Sequence, residues 1–225
     1  MIGVGMILAT VTLFMAMRSL YRKFQFTILN PVVTTTGVLI IFLLLLNIPY
    51  DTYMDGGYWI QELLGPAVVA FAYPLYRQKD KIIRYRFPLF AGLLTGISIG
   101  IGSGFMYVKL AGLSAEHAVT FLPKSVTSPI AMDITSLTGG IPSLAAALVI
   151  LSGLMGAVTA PKLLNYVNIK HYLSVGVGLG CSAHGIGTAK AMEYGEEEAA
   201  FSSISMTISA LLYALVLPIT IHYFL

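Results

Sequence analysis

The chain has 225 residues, 57% of them hydrophobic and only 10% charged, with a formal net charge of +3. Soluble domains carry about 25% charged residues, so this composition and the mean hydropathy of +0.84 exclude an ordinary soluble protein. A crossing helix needs roughly 20 residues, so the length allows about seven or eight membrane segments with short loops and no large soluble domain.

Residues 1–17 are apolar, and the basic residues Arg18, Arg22 and Lys23 follow them. That order predicts a first spanning helix with an outside N-terminus, not a cleaved secretory signal. Further apolar stretches run over 29–48, 60–76, 88–110, 115–135, 141–161, 172–192 and 200–224. Asp51 and Asp55 follow the second stretch, among Tyr50, Tyr53, Tyr58 and Trp59, as at an outer interface. Arg77, Lys79, Lys81, Arg84 and Arg86 follow the third and read as an inner loop. Tyr73-Pro74 predicts a kink, and Gly139-Gly140-Ile141-Pro142 a turn. The expected fold class is an all-α polytopic membrane protein, with residues 1–225 as a single membrane domain.

The stretch 115–135 leaves two topologies. A full crossing puts Lys162 and Lys170 outside, against the positive-inside bias; a segment that dips in and returns puts them inside. The bias therefore favours a broken or re-entrant helix there. On that choice 172–192 crosses outward, Glu196–Glu198 lie outside, and 200–224 returns inward.

The pattern also points to an inverted repeat of halves 1–87 and 88–225. Leu29-Asn30-Pro31-Val32-Val33-Thr34-Thr35 matches Leu122-Pro123-Lys124-Ser125-Val126-Thr127-Ser128 in its proline and hydroxyls. Leu64-Gly65-Pro66-Ala67 and Leu179-Gly180-Cys181-Ser182 match more weakly. Paired interruptions of this kind mark binding sites in inverted-repeat transporters.

Residues 122–134 carry two prolines, three hydroxyls, Lys124 and Asp133 inside an apolar region. Lipid offers such groups no partners, so they belong in a cavity or a protein interior. Burying Lys124 at a helix centre costs about 2.5–3.5 kcal/mol, which a bound carboxylate would offset. The alternative is a lysine snorkelling to the interface. Ser125, Thr127 and Ser128 supply hydroxyls, with Ser128 expected to cap a helix starting at Pro129 whose free N–H groups face an anion. Asp133 reads as a proton or cation site, a partner for Lys124, or a boundary residue. Asn30, before Pro31, adds a polar group at the corresponding break, although Thr34, Thr35 and Thr36 beside it also read as back-bonded helix residues.

Residues 176–193 are the second unusual segment, rich in glycine and carrying Ser182, His184, Thr188, Lys190 and Glu193. Glycine permits close packing or backbone exposed to a cavity. His184 reads as a hydrogen-bonding group or proton relay, or as a structural histidine; Ser182 and Thr188 read as hydroxyls for a substrate. Lys190 and Glu193 are spaced to pair with each other. Cys181, the single cysteine, reads as a small packing residue.

No Gly-rich phosphate loop, no metal-ligand spacing and no Gly-x-Ser-x-Gly elbow is present, so neither an enzyme nor a metal site is expected. The basic residues sit in two loops, which leaves no nucleic-acid footprint.

Leu122-Pro123-Lys124-Ser125-Val126-Thr127-Ser128-Pro129-Ile130-Ala131 and Cys181-Ser182-Ala183-His184-Gly185-Ile186-Gly187-Thr188-Ala189 resemble the two hallmark stretches of the LrgB/CidB family. The likeness extends over nearly the whole chain, including Leu64-Gly65-Pro66-Ala67 and Tyr73-Pro74-Leu75-Tyr76. That family was described as bacterial holin/antiholin-like regulators of murein hydrolase activity and lysis. It also includes the plastidal glycolate/glycerate translocator and members implicated in pyruvate uptake. The resemblance implies a bacterial inner-membrane carrier for short hydroxy- or oxo-carboxylates, often made with a smaller holin-like membrane partner. Coupling to H+ or Na+ and a homodimer are further expectations. The competing reading is a regulator of lysis.

Overall fold

A computed structural model of the chain describes residues 2–24, 26, 29–70 and 72–224. It is all-helical among these residues, as expected of a polytopic membrane protein. The helices are α1 (Ile2–Phe24), α2 (Pro31–Leu45), α3 (Tyr50–Glu62), α4 (Leu64–Ala70), α5 (Ala72–Arg77) and α6 (Lys79–Arg84). They continue with α7 (Arg86–Leu110), α8 (Ala115–Phe121), α9 (Ser128–Thr138), α10 (Pro142–Tyr166), α11 (Tyr172–Ala191) and α12 (Glu196–Phe224). Among the described residues, Gly3–Phe24, Arg86–Leu110, Pro142–Tyr166 and Glu196–Tyr223 are long and apolar enough to cross a membrane.

Two compact units make up the chain, Met1–Val69 and Ala70–Leu225. In the first, α1 packs against α2 and α3. Gly3 meets the backbone of Asp55 and Gly56, and Thr10 and Tyr53 share a 3.2 Å hydrogen bond. The start of α1 and the acidic stretch therefore lie at one end of this unit. That stretch is helical, not a loop: Pro49 precedes it and Asp51 occupies its first turn, where a carboxylate favours the positive helix end. The expected span 60–76 is interrupted at Leu63, the cap between α3 and α4, so it is not one continuous helix. Tyr73-Pro74 lies in α5; the expected kink there borders Phe71, which lies outside the described residues.

In the second unit the long helices α7, α10 and α12 surround two interrupted segments. The first runs from α8 through a 3-10 turn, Leu122–Ser125, into α9. Proline at 123 lacks an N–H, and Val126 is extended (φ −127°, ψ −176°), so the helix stops there. α9 ends at Gly139, whose φ of 79° is the left-handed conformation glycine adopts without strain. The chain then returns to α8. Ile141 N–H donates to Thr120 Oγ1 at 2.9 Å, and a Cβ on Gly140 would stand 2.6–2.9 Å from Thr135, Thr120 and Val119. The expected broken, re-entrant segment is therefore present.

The second interruption overturns an expectation. Rather than crossing, α11 reverses at His184, which has φ 45° and ψ −125°. Gly187 lies against the Leu179 backbone, whereas eight residues of continuous helix would separate them by about 12 Å. Val175, Leu179 and Ala191 share one buried cluster, so the two arms lie side by side. At the open end, Tyr85 and Tyr172 join hydroxyls at 2.7 Å, both rings pack on Phe201, and Lys81 pairs with Glu197 at 2.9 Å. The starts of α7, α11 and α12 thus share one end of the unit. Glu196–Glu198 stand on the side of Lys81, not across from it, and α12 runs in the opposite direction from the one expected.

Candidate functional site around Lys124 and His184

The tips of the two interrupted segments meet. The 3-10 turn at Leu122–Ser125 packs against α7, α8, α9, α10, α11 and α12. This turn, which ends at Ser125, packs on α11, the element that carries His184. His184 is 4% exposed, and its Nε2 has no hydrogen-bond partner among the described residues. The same holds for Lys124 Nζ and Thr127 Oγ1. The ammonium lies 4.7 Å from the centre of the Phe121 ring, which in turn stacks on Tyr107. A cation–π contact of this kind offsets part of the desolvation of a lysine, but it satisfies none of its three donors.

Close approach to the tips depends on one face of α7. Gly92, Gly96, Gly100 and Gly104 repeat every four residues and present bare backbone to the neighbouring elements. A Cβ on Gly92 would stand 3.1 Å from Val177, and one on Gly96 would stand 3.6 Å from Cys181. Gly100 receives the Tyr213 hydroxyl, and a Cβ on Gly104 would lie 3.3 Å from Lys124 Nζ. Gly176 and Gly180 do the same service between α11 and α12, facing Phe201, Ser202 and Ser205.

Of the residues expected to form a site, the structure gathers Lys124, Ser125, Thr127 and His184. The helix after the break starts one residue earlier than expected: Thr127 is its cap, Ser128 its first residue, and Pro129 its second. Thr127 caps by backbone conformation alone (φ −72°, ψ 148°), which leaves its buried hydroxyl free. Thr188 stands one turn beyond His184; its hydroxyl donates to the His184 carbonyl at 2.9 Å and meets Ser202 Oγ at 2.9 Å. It supports the reversal from behind.

Three expected residues are not brought in. Ser182 is exposed and donates to the Gly178 carbonyl at 2.6 Å. Asp133 is exposed on α9, whose buried face is Ile130, Ala131, Ile134 and Thr135, and no ion pair joins it to Lys124 among the described residues. Asn30 belongs to the first unit, where its side chain caps α2 by accepting from Val32 N–H at 3.0 Å. Lys190 and Glu193 form an ion pair, as their spacing predicts.

Sequence reasoning missed Tyr213. It is 2% exposed, among the largest fully buried side chains, and its hydroxyl lies against Gly100. The fourfold glycine spacing on α7 was the signal available. A separate apolar groove of about 830 Å³ runs between α7 and α12, past Leu94, Phe105, Lys109 and Val216. None of the gathered residues lines it.

Residues 10–223 match the LrgB-like family. The chain belongs to that family. YxaC of Bacillus subtilis is 39% identical over 223 residues, covering 99% of this chain and 97% of the relative. Two proteins named holin-like protein CidB are each 34% identical to it. The one from Staphylococcus epidermidis aligns over 222 residues, 99% of this chain and 97% of its own. For the one from Staphylococcus aureus the figures are 219 residues, 97% and 96%. No solved structure matches the chain. Both interrupted segments of this LrgB-like chain, and the glycine face of α7, fall inside the matched region.

Proposed function

We propose that the chain works as a holin/antiholin-like membrane protein that regulates murein hydrolase activity and cell lysis. Its support is the near full-length similarity to relatives named holin-like protein CidB. The four long apolar helices suit such a role. Disruption of the gene in its own host should change the autolysis rate and the murein hydrolase pattern, and the intact gene should restore both. Unchanged autolysis would remove this reading.

One observation favours a second reading, a carrier or facilitator of small monocarboxylates of the pyruvate, lactate, glycolate or glycerate class. Lys124 and Thr127 at one tip and His184 at the other each have a buried polar atom with no hydrogen-bond partner among the described residues, and the two tips pack on each other. A regulator has no evident use for these groups, whereas a carboxylate would accept from Lys124 and Thr127 while its hydroxyl or oxo group faced His184. Broken helices meeting near the middle of a membrane are the usual architecture for such sites in secondary transporters. Binding should be weak, since a millimolar dissociation constant corresponds to only about −4 kcal/mol. His184 is the candidate proton carrier on this reading; H+ or Na+ would serve as coupling ion. Uptake of labelled pyruvate, lactate and glycolate into proteoliposomes, with and without a proton gradient, separates the two readings. A homodimer or a small holin-like partner fits either one.

A further inference from the structure

We infer that Tyr213 is the specificity-determining floor of the Lys124 site, setting the length of the acid it accepts. The inference rests on the carboxylate reading and names a residue that reading does not need.

Order along α7 carries the argument. Gly92 faces Val177, Gly96 faces Cys181, Gly100 faces Tyr213, and Gly104 faces Lys124. Below Cys181 lies an apolar core of Leu89, Leu93, Val177, Phe201 and Ile204. Above Tyr213 lies Lys124, while Ser125 Oγ stands level with the phenol, 3.9 Å from a Cβ at Gly100. The phenol of Tyr213 is therefore the layer between the polar cluster and the apolar core. Its ring is buried, while its hydroxyl lies against Gly100, where Ser125 Oγ also approaches. A ligand held by Lys124 and extending toward the apolar core meets this hydroxyl first.

Gly100 fixes the height of that floor. Any Cβ there would collide with the Tyr213 hydroxyl, so an alanine must displace the phenol. Fine steric discrimination follows from such a contact, because one methylene in a tight pocket changes affinity about tenfold or more.

The test uses the full-length protein in detergent, with thermal stabilisation titrated by glycolate, pyruvate and 2-oxobutyrate, which have successively longer carbon chains. Tyr213→Leu lowers the floor and should shift the affinity ratio toward 2-oxobutyrate about tenfold relative to wild type. Gly100→Ala pushes the phenol up and should shift the ratio toward glycolate. A purely structural role would change the melting temperature without acid and leave the ratios alone. Either variant decides the matter if the other does not fold. Unchanged ratios in a variant whose wild type responds to the acids would overturn this inference alone. A wild type that none of the acids stabilises would overturn the carboxylate reading and this inference together.

Discussion

Lys81 and Glu197, 116 residues apart in sequence, form a 2.9 Å ion pair at one end of the second unit. The pair is more than half exposed on the glutamate side, so it contributes little stability. Its value is topological, because two residues in contact face the same side of a membrane. The positive-inside bias expects the basic run 77–86 inside, and Glu196–Glu198 would then share that side. α10 then delivers Lys162 and Lys170 to the same inner side, in keeping with the positive-inside bias.

A labelling experiment checks this arrangement. In single-cysteine variants made on a Cys181→Ser background, an impermeant thiol reagent applied from outside should modify position 53 and spare positions 81 and 197. Protection of 81 with labelling of 197 would contradict the reversal of α11, and labelling of 81 with protection of 53 would invert the orientation.

The reversal at His184 makes Gly187 a packing position. A valine there would press on the Leu179 carbonyl and the Ala183 methyl. Overpacking of this kind costs about 1–3 kcal/mol. Gly187→Val should therefore lower the thermal midpoint in detergent by several degrees, whereas Gly178→Ala, where a Cβ meets nothing within 4 Å, should leave it nearly unchanged. Equal midpoints for the two variants would show that the arms of α11 do not pack as described.

On the carboxylate reading, His184 is the buried titratable side chain at the meeting of the tips, and Asp133 stands apart from it. An inward proton gradient should raise uptake of pyruvate in wild-type vesicles. His184→Ala should lose that response, while Asp133→Asn keeps it. A gradient response that survives in His184→Ala and disappears in Asp133→Asn would reverse the assignment.

Much of this fold was legible in the chain. α7, α10 and α12 follow the apolar runs closely, as hydrocarbon thickness requires, whereas α1 continues past its run through Arg18, Arg22 and Lys23 to Phe24. The break at 122–128 was legible from Pro123 and Pro129, which remove backbone donors at fixed places. Reversal of α11 was not, since a single histidine at positive φ carries no sequence mark and glycines 176, 180 and 187 suit packing as well as turning. Lys124, Ser125, Thr127 and His184 were identifiable as polar groups in an apolar region. Tyr213 was hidden because tyrosine is common in membrane helices and its role depends on Gly100, which comes from a different helix. The exposed positions of Asp133 and Ser182 were not legible, because spacing along the chain does not reveal which helix face is buried.

On the carboxylate reading Lys124 carries the site, and the measurement that tests that reading most directly is acid-dependent thermal stabilisation of wild type against Lys124→Ala and Lys124→Arg. Wild type should be stabilised by pyruvate or glycolate at millimolar concentration. Lys124→Ala should keep its fold and bind about ten- to a hundredfold more weakly, as expected for loss of a charge-assisted hydrogen bond worth about 1.5–3 kcal/mol. Lys124→Arg should not restore binding, because a planar guanidinium does not fit where a compact ammonium rests on Gly104. Full stabilisation of a well-folded Lys124→Ala protein by the same acids would contradict the assignment of Lys124 as the anion site.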